Sequence, residues 1–180
     1  RVGGLAAGRG RQVEATLEHT QRVLDLVQPE LRQLPLEQAQ ALYLAALLHN
    51  VGCGAHGATS RREHGGAPLA RDVLYRLDLP GFLRDEVVHL VRSRNLPGVY
   101  LRRPPSVGRM LRLAWTLNTY LLSLLAEADC RALRLPETHR SYRAVVAFQE
   151  RCRGLGILGR EPAPLVPPER WRALTPPDAA

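Results

Sequence analysis

The sequence contains no lysine, so its positive charge rests on arginine alone. All 25 Lys/Arg positions are arginine, and with 17 acidic residues the net charge is +8. Isoleucine occurs only at Ile157, and this preference for Arg, Ala, Leu, Gly and Pro is typical of coding bias. Even so, a pI near 10.4 favours an anionic partner such as nucleic acid or a phosphorylated small molecule. Arginine also binds phosphate in a bidentate way that lysine does not.

Cysteines, aromatic residues and long apolar runs are also scarce. Cys53, Cys130 and Cys152 are far apart and outside any CxxC spacing, so we expect reduced, mostly buried thiols, with neither a disulfide framework nor a zinc site. The two Trp and five Tyr residues are too scattered for a base-stacking platform. No apolar run reaches membrane-spanning length, which excludes a membrane protein of that kind. Residues 1–10 lack the apolar core of a secretory signal, so we expect a cytoplasmic protein.

Apolar residues recur at helical spacing along most of the chain. At 180 residues and 45% hydrophobic content, the length suits one domain with a sizeable core. The pattern predicts an all-α, single compact domain of about six helices with a Pro-rich C-terminal tail. We expect a loose segment over 1–10, the helical domain over 11–155 and the tail over 156–180. The predicted helices cover 12–28, 36–50, 67–77, 82–94, 107–133 and 137–153.

The second predicted helix is apolar on nearly all sides and ends in His49-Asn50-Val51-Gly52. Buried polar groups at such a helix end need partners, and a metal ion is one good partner. Asn and Gly are also common where helices end, and a buried histidine is often simply hydrogen-bonded. The segment alone leaves both interpretations open.

Three further residues favour the metal interpretation. His19 lies in the first predicted helix, His64 opens the third, and Asp129 follows an apolar stretch late in the long fifth helix. Imidazole and carboxylate are ligands for a catalytic divalent metal, and histidines on separate helices can converge in a bundle core. We therefore expect these side chains to meet His49 in the fold.

These segments resemble the HD-domain metal-dependent phosphohydrolases. The resemblance covers roughly residues 13–155 and rests on LEHTQRVL (17–24), LLHNVG (47–52) and LAEAD (125–129). Within that superfamily the chain is most similar to the HD domains of CCA-adding tRNA nucleotidyltransferases and of bacterial fusions of an HD phosphohydrolase with a polynucleotide kinase. The fusions are favoured by VRSRNLP (91–97), TYLLSLLAEAD (119–129) and FQERC (148–152).

The resemblance implies a phosphomonoesterase or cyclic phosphodiesterase acting on nucleotides or RNA phosphate ends, with a kinase or nucleotidyltransferase domain as a candidate partner. It implies a divalent cofactor (Mn, Ni, Co, Mg or Fe) that polarises the phosphoryl oxygen and activates water. The implied catalytic residues are His49, Asn50 and Asp129. The implied metal ligands are His19, His49, Asn50 and Asp129, with His64 serving a second metal or the phosphate. Arginines are the candidate phosphate ligands: Arg22, Arg61, Arg62 and Arg94.

The chain departs from the family pattern at three places. Asn50 stands where the family has Asp, Cys53 stands where a lysine is usual, and Ser93-Arg94 replaces a histidine pair of the nearest relatives. A neutral amide lowers the affinity of hard divalent ions. Two hypotheses follow: a phosphohydrolase with weakened metal binding, or a catalytically degenerate HD module that binds RNA or acts as a scaffold. Metal content and phosphoester turnover distinguish them.

Overall fold

A computed structural model describes the backbone of residues 3–51 and 61–159, with side chains from 14 in the first range and from 66 in the second. The described residues are helical and contain no strand, as the sequence predicts. They form α1 (Gly3–Leu31), α2 (Leu36–Leu48), α3 (Arg61–Tyr75), α4 (Gly81–Ser93), α5 (Leu96–Val99), α6 (Val107–Thr116), α7 (Thr119–Ala132) and α8 (Arg140–Gly154).

Helix α2 is a central buried helix, which confirms the expectation from its apolar sequence. It packs against α1, α4 and α7, and Leu42, Ala45 and Ala46 are fully buried. Alanine side chains are short, so neighbouring helices approach closely along this face. This close packing brings α1 and α7 together at the C-terminal end of α2, where His49 follows the helix.

Helix α7 contacts more of the fold than its length suggests. It packs against α1, α2, α4, α5 and α8, and Leu121, Leu122 and Leu125 are buried in the core as predicted. Each fully buried leucine contributes about 1.5–3 kcal/mol relative to an exposed one. The position of Asp129, further along the same helix, is therefore fixed by packing on several sides.

The first helix is longer than predicted. Residues 3–10, expected to be loose, belong to α1, which begins at Gly3 and continues through Pro29 to Leu31. Four of these residues are glycines, which are poor helix formers, but extending an existing helix adds one hydrogen bond for each residue fixed and avoids the cost of nucleation. Pro29 removes only one hydrogen bond close to the end of the helix, where the loss is small.

The predicted long helix over 107–133 is wrong, since it is broken between α6 and α7. Leu117 is extended, with φ −156° and ψ 160°, and Asn118 then caps α7 by accepting hydrogen bonds from the N–H groups of Tyr120 and Leu121. Because the break ends the helical phase that the prediction assumed, Trp115 is 61% exposed rather than inward. With this break and the one-turn helix α5, the described ranges contain eight helices instead of the six predicted.

Other boundaries shift by a few residues. Helix α3 begins at Arg61 rather than 67, and α8 begins at Arg140 rather than 137, where Nδ1 of His139 accepts a hydrogen bond from the N–H of Ser141. Leu17, predicted to point inward, is 64% exposed because the buried face of α1 follows Val23 and Val27. Ile157 is buried in the core, and residues 160–180 of the predicted tail lie outside the described residues.

In the described part of the chain, no helix combines the length and apolar character that crossing a bilayer requires.

Candidate metal centre

Three helices carry the candidate ligands to one place. His19 lies on α1, His49 is the C-cap of α2 and Asp129 lies near the end of α7. Because α1, α2 and α7 all pack against one another, side chains that are 30 and 110 residues apart in sequence meet in space. The convergence expected from the sequence is therefore present for these three residues.

The donor atoms of the three side chains face one another. Nε2 of His19 lies 2.8 Å from Oδ1 of Asp129 and 3.3 Å from Nε2 of His49. Nε2 of His49 lies 3.7 Å from the same carboxylate oxygen. The two imidazole rings are tilted by 54° with centroids 5.4 Å apart. Both histidines are buried, whereas the side chain of Asp129 is 39% exposed, so the cluster opens to solvent on the Asp129 side.

His49 is held in one orientation by the last turn of α2. Its Nδ1–H donates a 2.6 Å hydrogen bond to the carbonyl oxygen of Ala46, one of the carbonyls that a helix end leaves without an intrahelical partner. Because a carbonyl only accepts, Nδ1 carries the proton and the lone pair of Nε2 points into the cluster. Burial lowers the pKa of His49, which outweighs the opposing effects of the Ala46 hydrogen bond and the Asp129 charge. This lowered pKa favours the neutral ring.

Asn50 and His19 complete the hydrogen bonding of the cluster. Nδ2 of Asn50 lies 2.7 Å from Nε2 of His49, and Nε2–H of His19 donates to Asp129. Nδ1 of His19 is buried and has no hydrogen-bond partner among the described residues.

The family model of the HD domain matches residues 16–119, more than half of the chain. The chain belongs to the HD domain family. No curated protein and no solved structure gives a significant match. The matched range contains His19, His49 and Asn50 and ends before Asp129, so it is the packing of α7 that adds the carboxylate to this HD domain.

The cluster of this HD-domain protein fits a divalent metal ion. His19, His49 and Asp129 each offer one ligand atom, and these atoms lie within 4.8 Å of one another. Ligand bonds of about 2.0–2.2 Å at tetrahedral or octahedral angles place neighbouring donor atoms about 2.8–3.6 Å apart. The observed separations of 2.8, 3.3 and 3.7 Å lie around those values. The Ala46 hydrogen bond is the kind of outer contact that orients a metal-binding histidine.

Two of the four predicted phosphate ligands can be placed. Arg94 follows α4 and is half-buried, and its positive charge is one of the influences that lower the pKa of His49. Arg22 is exposed one turn after His19 on α1. The side chains of Arg61, Arg62 and His64 lie outside the described residues, although their backbone forms the first turn of α3. Cys53 also lies outside the described residues.

Sequence reasoning missed two residues that shape this HD domain site. One is Ala46, whose carbonyl oxygen binds His49; the signal was its position three residues before the histidine at a helix end. The other is Gly66, where an added Cβ would lie 3.0 Å from the carbonyl oxygen of Val51 and 3.8 Å from Nη1 of Arg94. Glycine therefore lets the start of α3 approach the end of α2 closely.

Proposed function

We propose that this HD-domain protein is a metal-dependent phosphohydrolase that acts on phosphomonoesters or cyclic phosphodiesters of nucleotides or RNA ends. The observation that carries the proposal is the convergence of His19, His49 and Asp129 at metal-ligand separations. Two imidazoles and one carboxylate favour a first-row transition metal such as Mn, Fe, Co or Ni over Mg, which prefers oxygen ligands.

The three candidate ligands have different roles in the proposed reaction. When bound, the cation supplies Lewis acidity to the phosphoryl group and lowers the pKa of a water molecule. Asp129 contributes the negative charge of the ligand set. Its exposed side leaves an approach for substrate, whereas the buried histidines fix the geometry from within the core.

Arg94 is the described arginine best placed to hold the phosphate. It stands between the end of α4, the start of α3 and His49, and a guanidinium binds two phosphate oxygens at once. Arg22 is exposed on α1, one turn after His19. His64, Arg61 and Arg62 remain candidates for a second metal or phosphate contact, because the first turn of α3 carries all three.

The charge of the chain supports an anionic, phosphate-terminated substrate. The net charge of +8 attracts nucleotides and RNA at a distance, in a way that weakens with salt. The likeness of segments 91–97 and 119–129 to HD phosphohydrolase–kinase fusions supports RNA ends within that class, and a kinase or nucleotidyltransferase as a partner.

Asp129→Asn tests the proposed function. Turnover of a generic phosphoester and of 2′,3′-cyclic nucleotides is measured with added Mn²⁺, Co²⁺ or Ni²⁺. We expect activity in the unchanged chain and a loss in the variant that exceeds the about 10–100-fold cost of removing an outer contact. The matched control is Glu127→Gln, because Glu127 is a carboxylate on the same helix that pairs with Arg131 at 2.7 Å. It should keep full activity and metal content.

A catalytically degenerate RNA-binding or scaffolding module is the second candidate. The observation that favours it is the hydrogen bond of the neutral Asn50 to His49, which engages a donor atom of the metal set. The same experiment separates the two functions. Absence of bound metal and turnover, together with RNA binding that Asp129→Asn leaves unchanged, contradicts the hydrolase and supports the binding module.

A further inference from the structure

The side chain of Asn50 forms a hydrogen bond with His49 that could not be predicted from the sequence. Asn50 is the residue after His49, the C-cap of α2, and its Nδ2 lies 2.7 Å from Nε2 of His49. Nε2 of His49 is also one of the three atoms of the candidate metal set. The amide of Asn50 has both an oxygen and an NH₂ group, and one of them faces Nε2 of His49.

The hydrogen bonds of His49 decide the orientation of the amide. Ala46 accepts a hydrogen bond from Nδ1–H, so the neutral ring has only a lone pair at Nε2. A group at hydrogen-bond distance from a lone pair must be a donor. The amide NH₂ is a donor and the amide oxygen is not, so the NH₂ group of Asn50 faces His49.

We propose that Asn50 competes with the metal ion for the lone pair of His49, rather than acting as a ligand. This inference rests on the proposed metal site. A lone pair that accepts this 2.7 Å hydrogen bond cannot bind a cation at the same time, so a cation at Nε2 requires the NH₂ group of Asn50 to move away. Asn50 therefore lowers metal affinity by its own hydrogen bond, in addition to lacking the charge of a carboxylate.

Replacing Asn50 separates a competitor from a ligand. Asn50→Ala removes both the NH₂ group and the oxygen: it strengthens metal binding if the amide competes and weakens it if the oxygen coordinates. Asn50→Asp keeps the size, removes the donor and adds a second negative charge to the cluster that contains His49 and Asp129. We expect this second carboxylate to bind metal well and to destabilise the protein when no cation offsets the two charges.

The experiment is a Co²⁺ titration of the full chain, followed by visible absorption, with thermal unfolding measured in EDTA and in excess Co²⁺. We expect Asn50→Ala to bind Co²⁺ about 3–10-fold more tightly than the unchanged chain, the equivalent of one neutral hydrogen bond. Asn50→Asp should bind at least about tenfold more tightly and show a larger rise in unfolding temperature on adding Co²⁺. Gln40→Ala, at an exposed amide on α2, is the matched control and should change neither.

Each remaining outcome overturns a different statement. If Asn50→Ala binds Co²⁺ less tightly than the unchanged chain, or equally tightly, the amide does not compete and the inference fails while the metal site stands. If neither the unchanged chain nor Asn50→Asp binds Co²⁺, the metal site itself is wrong, and the proposed function fails with it. The unfolding temperature in EDTA shows whether each variant is folded, so a loss of binding is not confused with a loss of structure.

Discussion

Arg94 is a charged side chain that the fold places beside the histidine and carboxylate cluster. Its guanidinium approaches the carbonyl oxygen of Val91, lies near Gly66 and contributes to the lowered pKa of His49. A positive charge in this position disfavours protonation of the histidine, which keeps imidazole available to a metal, and it favours an incoming phosphate.

Arg94→Gln should therefore impair substrate binding more than metal binding. We expect kcat/KM to fall by about 10–100-fold, because a hydrogen bond to a charged group contributes about 1.5–3 kcal/mol. Co²⁺ affinity should stay within about twofold, since no ligand atom is removed. Steady-state kinetics with a phosphomonoester measures the first quantity and a Co²⁺ titration the second.

Arg92→Gln is the control for this prediction. Arg92 lies two residues earlier on α4 and is exposed, so the same charge is removed from the surface. Equal losses in the two variants would show that only the overall charge matters and that Arg94 makes no specific contact with phosphate.

At the scale of the element, the break between α6 and α7 fixes where the carboxylate-bearing helix begins. Asn118 caps α7 with its side-chain oxygen, at 2.9 Å from the N–H of Tyr120 and 3.3 Å from that of Leu121. The N–H of Asn118 itself donates a 2.7 Å hydrogen bond to Glu86 on α4. Burial raises the pKa of Glu86, and this hydrogen bond opposes the rise. The start of α7 is thus tied to α4.

Asn118→Ala should lower the free energy of unfolding by about 0.5–2 kcal/mol, the usual cost of losing a helix N-cap. Asn118→Asp should retain most of the stability, because a carboxylate also caps a helix N-terminus. Urea unfolding measures both. Thr116→Ala is the matched control: its exposed hydroxyl donates to the carbonyl of Leu113 in α6, so its loss should cost little. An Asn118→Ala variant as stable as this control would show that the cap is not needed.

At the scale of the whole molecule, helix α8 completes the core behind α7. It lies beyond the residues that the HD domain model matches, and it packs against both α5 and α7. Phe148 is fully buried, with its ring edge-on to Tyr100 at 5.8 Å between centroids. Because α7 carries Asp129, this packing supports the candidate metal centre from outside the matched range.

Phe148→Ala should lower the free energy of unfolding by about 3–5 kcal/mol, from lost burial and the cavity left behind. That is a large part of the about 5–15 kcal/mol that stabilises a typical domain. Chemical denaturation measures the loss, and Phe148→Leu, which keeps more volume, should lose less. Val146→Ala, on the same helix at a position 39% exposed, should cost far less than Phe148→Ala. Similar losses would place Phe148 outside the essential core.

The features that depend on local sequence were predictable. Apolar spacing identifies α2 and α4 within two residues of their observed ends. Residues three and four positions apart lie on the same face of a helix, so this pattern can be recognised in the sequence. The cap at Asn118 is also a local signal, and a helix prediction that weighed it would have divided the range 107–133. By contrast, the exposure of Leu17 and Trp115 depends on which neighbours cover each face, and a single helix pattern contains no such information.

Periodicity and donor chemistry are properties of the residues, so the all-α class and the candidate ligands His19, His49 and Asp129 could be predicted from the sequence. The approach of the three candidate ligand atoms to within 4.8 Å could not, since that separation depends on how α1, α2 and α7 pack. The orientation of Asn50 likewise depends on the fold. The carbonyl of Ala46 fixes the proton of His49 on Nδ1, and the lone pair that remains on Nε2 accepts a hydrogen bond from the NH₂ group of Asn50.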